Sequence, residues 1–119
     1  MNKQPLISIL MPSYNQAEFL PQAIESVLDQ QYPAKELIVI DGGSTDGSRA
    51  ILERYAAHLA YWVSEPDRGQ THALNKALQV ARGDILGWQN SDDFYYPGAF
   101  AEAADLIRST GCDLAFSNL

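Results

Sequence analysis

Positive charge is scarce in this sequence. Eight Lys and Arg residues stand against fifteen Asp and Glu residues, so the formal net charge of the 119-residue chain is -7. Nucleic acids are bound mainly through Lys and Arg contacts to phosphate, and this balance therefore argues against a nucleic-acid partner. It also means that a phosphorylated ligand would need a local cation, either a metal ion or a few basic side chains.

Cysteine and long apolar runs are scarce as well. Cys112 is the single cysteine, so an internal disulfide is excluded and nothing indicates an oxidising compartment. No apolar run approaches the ~20 residues that a membrane-spanning helix needs. The apolar stretch at residues 6–11 is also shorter than the apolar part of a secretory signal, which takes about 7–15 residues. These absences predict a cytoplasmic protein without a membrane span.

Short apolar runs alternate along the chain with longer segments of helical periodicity, a pattern that is typical of α/β proteins. We predict strands at residues 6–11, 37–40, 61–63, 85–88 and 114–116. Apolar residues at helical spacing begin at Phe19, Ile51, Ala73 and Phe100, which predicts helices between the strands. The sequence therefore predicts one domain over residues 1–119, with a mostly parallel sheet and helices on both faces.

Local signals also suggest how some of these elements begin, end and pack. Asn15 followed by Glu18 resembles a capping pair for the first helix. Gly83 follows the third helical segment and is predicted to be its C-terminal cap. Trp62 and Trp88 fall in predicted strands and are expected in the core.

Polar residues follow three of the predicted strands at their carboxyl ends. They are Pro-Ser-Tyr-Asn at 12–15, Asp-Gly-Gly-Ser at 41–44 and Asn-Ser-Asp-Asp at 90–93. Open parallel sheets bind ligands at this edge, where the strand order reverses. If the first strand lies between the second and fourth, Asp41 and Asp92 are separated by roughly 10 Å, which leaves room for a nucleoside.

The adjacent carboxylates Asp92 and Asp93 are the sharpest local signal. Neighbouring like charges are unfavourable unless solvent or a cation relieves them. An all-oxygen site suits a hard divalent cation such as Mg²⁺ or Mn²⁺. The alternative is a solvated acidic pair at the start of a helix, and the pair alone does not decide between the two.

Other candidates have equally plain alternatives. Tyr14 either stacks on a base, as aromatic faces do, or packs against the first helix. Arg68 either meets a phosphate or is a solvated surface residue. The Gly-rich turn at 41–47 follows neither the dinucleotide-binding pattern nor the Walker pattern, so an ATPase P-loop is excluded.

The order of these motifs resembles that of the family 2 glycosyltransferases. The resemblance is carried by residues 9–15, 36–48, 64–69, 73–77, 81–85 and 88–93, and it covers nearly the whole chain. It implies a GT-A fold, a Rossmann-like α/β sandwich that binds a nucleotide-diphosphate sugar, with a UDP-sugar as the favoured donor. It also implies transfer to an acceptor saccharide or lipid-linked sugar, with inversion, in cell-envelope polysaccharide biosynthesis. The protein would then work in the cytoplasm or peripherally at the inner membrane face.

The same resemblance implies roles for individual residues. Pro12 and Tyr14 would frame the base, and Asp41 would accept its N–H. Asp92 would approach the ribose or the metal, and Asp93 would coordinate a divalent cation, Mg or Mn. Asn15 would also bind the nucleotide, and Arg68 and Asn75 are the weaker candidates for the nucleotide wall.

Two departures from the family pattern narrow this interpretation. Asn90 replaces the first acid of the usual Asp-x-Asp. The family also places its catalytic base and acceptor-binding region later, so we expect the base beyond Leu119 and a domain truncated before that region.

Three alternatives stay open at this point. One is a nucleotide-sugar-binding fragment or subunit without catalysis of its own. Another is a receiver-like signalling domain, which would place an acidic pair after the first strand, where Ser13-Tyr14-Asn15 stands here. A third is a nucleotidyltransferase, which shares the fold but opens with a Gly-rich phosphate loop.

Overall fold

A parallel sheet organises the computed structural model, which describes residues 5–89, 98–101 and 104. The strands of these residues are β1 (Ile7–Ser13), β2 (Lys35–Asp41), β3 (Tyr61–Ser64) and β4 (Ile85–Trp88). The helices are α1 (Leu20–Leu28), α2 (Ser48–Tyr55) and α3 (Gln70–Val80), with a 3-10 turn at Ala56–His58. The first four predicted strands and the helices between them are confirmed. The predicted strand at 114–116 lies outside the described residues.

The strand order is β3-β2-β1-β4, and all three pairings are parallel. The chain therefore moves outward from β1 to β3 and then crosses back to add β4 on the other side of β1. The first strand lies between the second and fourth, which is the strand order that the expected separation of Asp41 and Asp92 required. This reversal is the topological switch point at which open α/β sheets bind their ligands.

Alternation along β1 distributes its side chains to two cores. Ile7, Ile9 and Met11 join one cluster, together with the buried faces of α1 and α2. Leu10 belongs to the opposite cluster, which α3 covers. Helices thus pack on both faces of the sheet, as predicted.

The last predicted helix is only partly described. Residues 99–101 and 104 are helical, and Phe100 is fully buried in the α1 cluster. No helix within 5–89, 98–101 and 104 combines the length and apolar character required to cross a membrane.

Three local expectations were wrong. The N-cap of α1 is Phe19, without a side-chain capping bond, and Asn15 adopts φ 52° in the preceding loop instead. Helix α3 ends at Val80 with an extended C-cap at Ala81, so Gly83 does not cap it. Trp88 is 38% exposed rather than a core residue. In each case a tertiary contact or a strand end overrides the local signal.

A buried carboxylate ties the amino-terminal edge of the sheet together. Glu36 on β2 accepts hydrogen bonds from the Ser8 hydroxyl (2.6 Å) and the Arg82 main-chain N–H (2.8 Å). The Arg82 guanidinium adds an ion pair at 3.1 Å. Burial alone would raise the pKa of Glu36, but the bonds from Ser8 and Arg82 outweigh it, and the pKa lies below its ordinary value.

This depressed pKa predicts a defined pH dependence of stability. The contribution of Glu36 is complete above the ordinary glutamate pKa of about 4.3 and is lost as the pH falls through it toward the folded-state value. We expect Glu36→Gln to lower the free energy of unfolding by about 1–3 kcal/mol at neutral pH and to flatten its decline in acid. Urea unfolding between about pH 6 and pH 3 measures both effects. The exposed Glu53→Gln is the control, and an unchanged acid slope in the Glu36 variant would contradict the assignment.

Candidate functional site

A cavity of about 700 Å³ opens at the carboxyl ends of β1 and β2. Its lining comes from the end of β1, from three loops that follow β1, follow β2 and precede α3, and from Gln70 and Ala73 of α3. The volume lies within the range of small-molecule sites. The first two loops carry motifs that the sequence analysis singled out, so the fold brings them together at one edge of the sheet.

The first wall of the cavity follows β1. Pro12 is buried, whereas the Tyr14 side chain is 60% exposed beside the opening. A large aromatic side chain left this open has little of its surface packed against the first helix, the alternative considered for Tyr14. Pro12 and Tyr14 therefore stand together on the surface that a ligand would meet.

Asp41 ends β2 and is completely buried. Its Oδ2 accepts hydrogen bonds from the main-chain N–H groups of Gly43 (3.2 Å) and Ser44 (2.8 Å) and from the Ser64 hydroxyl (2.8 Å). Its Oδ1 accepts the Ser44 hydroxyl at 2.6 Å. A carboxylate has about four acceptor positions, so these four bonds use nearly its full capacity. Asp41 organises the loop and does not line the cavity.

The loops after β1 and β2 are joined by a set of hydrogen bonds, here called the loop clasp, formed by Asn15, Ala17, Ser44, Thr45 and Asp46. The Asn15 main chain donates to Ser44 Oγ (2.7 Å), and Asn15 Oδ1 accepts the Thr45 N–H (3.0 Å). The Ala17 N–H donates to Asp46 Oδ2 at 2.9 Å. Asn15 thus holds one loop against the other, and its carboxamide oxygen is occupied there.

Asp46 also anchors the start of α2. Its Oδ1 accepts the Ser48 hydroxyl (2.7 Å) and the Ser48 main-chain N–H (3.1 Å). The Ser48 hydroxyl, followed by the Ala17 N–H, holds the pKa of Asp46 below its ordinary value. The acidic residues of the 41–48 motif therefore shape the site through hydrogen bonds inside the protein.

Asp67, in the third loop, is a cavity residue that the sequence analysis missed. Its Oδ1 accepts the Gly69 N–H at 2.9 Å, and its carboxylate lies against Gly42. Asp67 belongs to the 64–69 segment that carries part of the family resemblance, but it was not a predicted site residue, because its contact with Gly42 joins two loops that are distant in the sequence. Its neighbour Arg68, which was predicted, is exposed and does not line the cavity.

Two weaker candidates take other positions. The Arg68 main-chain N–H donates to His72 Nδ1 at 2.9 Å, which ties the loop to the first turn of α3. Asn75 lies further along α3, exposed and away from the cavity lining. The structure therefore does not bring Arg68 and Asn75 together with Tyr14.

Asn90, Asp92 and Asp93 lie outside the described residues. The described chain reaches Gln89, whose N–H donates to the Leu10 carbonyl at 3.1 Å, just beyond β4. Within 5–89, 98–101 and 104, no three His, Cys, Asp or Glu residues gather in an arrangement that could hold a metal ion. The metal prediction therefore rests on Asp92 and Asp93 alone.

The charge of the cavity restricts what it can hold. Among its described lining residues, Asp67 is the charged one, and none is Lys or Arg. A phosphate group would be repelled here without a cation, whereas a neutral group with hydrogen-bond donors would be favoured.

Curated relatives extend well beyond this chain. It is 34% identical over 121 residues to the putative teichuronic acid biosynthesis glycosyltransferase TuaG of Bacillus subtilis (strain 168), covering 98% of this chain and 47% of that protein. It is 36% identical over 110 residues to the chondroitin synthase of Escherichia coli, covering 91% of this chain and 16% of that protein. The chain thus spans about half, or less, of the length of these relatives.

Solved structures share the fold. The mannosyltransferase PcManGT from Pyrobaculum calidifontis, in complex with GDP-Man and Mn²⁺, matches with a TM-score of 0.81 at 31% identity, over 88% of this chain and 33% of that chain. S. aureus TarS 1-349 in complex with UDP-GlcNAc matches with a TM-score of 0.79 at 27% identity, over 87% and 31% respectively. The predicted GT-A, Rossmann-like architecture is confirmed.

The sequence model described as Glycosyl transferase family 2 matches residues 8–119, nearly the whole chain. This match agrees with the motif order and with the cavity at the switch point of the sheet. It disfavours the receiver and nucleotidyltransferase alternatives. The chain belongs to glycosyltransferase family 2.

Proposed function

We propose that this chain binds the donor of a glycosyltransferase that moves a sugar from a nucleotide-diphosphate sugar to an acceptor hydroxyl, assisted by a divalent cation. The observation that supports this best is the cavity of about 700 Å³ at the switch point, built from loops that carry the family motifs. A UDP-sugar is the first donor to test and a GDP-sugar the second. Similar structures are complexes with UDP-GlcNAc and GDP-Man.

In this proposal the nucleoside and the diphosphate of the donor bind in different parts of the site. The nucleoside, which is neutral, occupies the cavity between Pro12, Tyr14 and the Gly42 loop. The diphosphate points toward the acidic run that holds the cation, because the described cavity lining has no basic side chain. Asn15, Arg68 and Asn75 remain predictions for the outer wall.

Asp93 and Asp92 are the proposed cation ligands, and Asn90, which replaces the first acid of the usual Asp-x-Asp, offers a neutral oxygen. These are hard oxygen donors, which fit Mg²⁺ or Mn²⁺. PcManGT, a similar structure, contains Mn²⁺. When bound, such an ion stabilises the negative charge that develops on the departing diphosphate. Asp92 is proposed to contact the ribose as well as the ion.

The acceptor side of the reaction is proposed from the family. The proposed acceptor is a saccharide or lipid-linked sugar, whose hydroxyl a carboxylate base would activate. The reaction inverts the anomeric centre and serves cell-envelope polysaccharide synthesis, in the cytoplasm or at the inner membrane face. TuaG, a relative of this chain, is named for teichuronic acid biosynthesis.

Calorimetric titration tests the donor site. Wild type is titrated with UDP, GDP and dTDP, with and without Mn²⁺, and we expect metal-dependent binding of at least one nucleotide. Asp93→Ala should lose the metal-dependent part, because the cation that neutralises the diphosphate is no longer held. Asp29→Ala, at the end of α1 and away from the cavity, is the charge-matched control. Failure of all three nucleotides to bind wild type would overturn the proposed function.

A second candidate function is nucleotide-sugar binding without transfer. The observation that favours it is that this chain matches only 47% of the length of TuaG. It predicts the same titration result with neither sugar transfer nor hydrolysis of the UDP-sugar. Following nucleotide release from a UDP-sugar, with and without added acceptor saccharides, separates the two functions.

Tyr14→Ala should weaken nucleotide binding even without metal. Stacking of a base on an aromatic ring contributes about 1–3 kcal/mol, so we expect a loss of roughly five-fold to 150-fold. Tyr61→Ala is the control, since Tyr61 is similarly exposed (42%) on β3 but does not line the cavity. Equal affinities for wild type and Tyr14→Ala would show that the ring is not a stacking surface.

A further inference from the structure

A histidine of α3 holds the middle of the cavity loop that precedes this helix. The Arg68 main-chain N–H donates to His72 Nδ1 at 2.9 Å. The start of the loop is fixed by the Glu65 N–H, which donates to the Asp41 carbonyl at 3.0 Å. The loop ends at Gly69, the N-cap of α3. The bond to His72 therefore holds the segment between these two points against the helix.

The segment that His72 holds forms one wall of the cavity. Pro66 and Asp67 both line it, and the Asp67 carboxylate rests on Gly42, where a Cβ would lie 3.0 Å from Oδ1. The main chain is equally close at Gly43, where a Cβ would lie 3.0 Å from the Pro66 nitrogen. Because these contacts leave little free space, the position of the loop determines the shape of the cavity and the place of its negative charge.

The bond to His72 exists only while the imidazole ring is neutral. A main-chain N–H can only donate, so the ring nitrogen that faces it carries a lone pair and no proton. In the imidazolium form both ring nitrogens are donors, and Nδ1 would then face the Arg68 N–H donor to donor. Histidine ordinarily changes its charge between about pH 5 and pH 8. The contact is therefore present at neutral pH and is lost in mild acid.

The other charged groups around this contact are of kinds that keep their charge in that range. In the described chain they are Glu65, Asp67 and Arg68 of the loop and Lys76, one turn further along α3. Lys76 Nζ forms an ion pair with Glu65 Oε1 at 3.0 Å, which is a second tie between helix and loop. The carboxylate at this end of the strands beneath α3 is the buried Asp41 of β2. Carboxylate, ammonium and guanidinium groups ordinarily titrate outside about pH 5–8, so His72 is the member of this group that responds there.

We propose that His72 is a positioning residue that makes donor binding depend on pH. In its neutral form it holds the cavity loop in place, and its protonation releases the loop. The Arg68 N–H is then left to solvent, and the Asp67 carboxylate is free to move away from Gly42. This inference rests on the proposed function, because the binding that changes is that of a nucleotide-diphosphate sugar.

Calorimetric titration at about pH 5.5 and about pH 7.5, at a constant concentration of Mn²⁺, measures the effect on binding. The ligand is UDP-GlcNAc or GDP-Man, whichever wild type binds more tightly. Their diphosphate is esterified at both ends, so they lack the terminal phosphate group that would itself titrate near pH 6, at about the pH of histidine. The dissociation constant of wild type should be roughly three- to ten-fold higher at the acid pH, the loss expected for one hydrogen bond.

Substitutions at His72 distinguish positioning from packing. His72→Asn offers a carboxamide oxygen as an acceptor that does not titrate, so it should keep the neutral-pH affinity of wild type at both pH values. His72→Ala has no acceptor and should show the weaker affinity at both. If the ring served packing alone, the Asn and Ala variants would bind alike. His58→Asn, at the other histidine of the chain, is exposed outside the cavity lining and should keep the wild-type pH dependence.

Nuclear magnetic resonance follows the contact itself without any nucleotide. The chemical shift of the Arg68 amide should change together with the ring resonances of His72 as the pH falls from about 8 to about 5. In His72→Asn this change should be absent, and in His58→Asn it should persist.

The outcomes separate this proposal from the proposed function. If wild type binds neither nucleotide sugar at either pH, the proposed function is overturned together with the effect on binding. If wild type binds equally at both pH values, or if His72→Asn keeps the acid loss, control of binding by His72 alone is overturned. An Arg68 amide whose shift stays constant while His72 titrates would overturn the release of the loop.

Discussion

Gly83→Ala is expected to lower the free energy of unfolding by about 3 kcal/mol, the upper range for overpacking a well-filled site. A Cβ at this position would lie 2.3 Å from Ser8 Oγ, 2.8 Å from the Ser8 nitrogen and 2.9 Å from the Leu6 carbonyl oxygen. Two of these three atoms belong to the main chain at the start of β1, so they cannot rotate away. The Gly83 N–H also donates to Ser8 Oγ at 2.8 Å, and this bond would be stretched or lost.

Chemical denaturation of wild type and variant measures the effect. Gln79→Ala is the control, since Gln79 is exposed on α3 and its substitution should change stability by less than about 0.5 kcal/mol. Gly83→Ala should cost less in a Ser8→Ala background than in wild type, because the hydroxyl that the new methyl group meets is already absent there. A change below about 0.5 kcal/mol in Gly83→Ala, the size typical of neutral surface substitutions, would contradict the close packing.

Gly83 also shows where prediction from the sequence stops. A glycine after a helical segment is typical of a C-terminal cap, and that interpretation was wrong. The actual requirement is a contact with Ser8, which is 75 positions away. Strand and helix positions could be predicted because apolar periodicity is local, whereas close approach of two backbones depends on the tertiary arrangement.

In the candidate site, too, local patterns could be predicted from the sequence and tertiary contacts could not. The order of the motifs was sufficient to indicate the family, and their positions after strands were sufficient to place Pro12, Tyr14 and Asp41 at one edge. The partner of each side chain could not be predicted. Asp41, which was predicted to bind the ligand, accepts a hydrogen bond from Ser64, 23 positions away, and holds its loop instead. Asp67, which was not predicted, contacts Gly42 in another loop and lines the cavity.

Asp41→Ala should lower the free energy of unfolding by about 3 kcal/mol and weaken nucleotide binding at the same time. The substitution leaves the Gly43 and Ser44 N–H groups and the Ser64 hydroxyl without their acceptor, and each unsatisfied buried donor costs about 1–3 kcal/mol. The Gly43 turn, at φ 84° beside Pro66, would lose the bonds that hold it against the cavity.

Comparison of stability with affinity tells the two roles of Asp41 apart. Ser64→Ala removes one of the four bonds to Asp41 and lies outside the cavity lining, so it should cost about 1 kcal/mol and weaken binding only slightly. If Asp41 acts by holding the loop, affinity falls in proportion to stability across Asp41→Ala, Asp41→Asn and Ser64→Ala. If it contacts the base directly, Asp41→Asn and Asp41→Ala lower affinity further than the relation between stability and affinity set by Ser64→Ala. Complete burial and four internal hydrogen bonds favour the first result, because a carboxylate that already accepts four bonds inside the protein has little capacity left for a ligand.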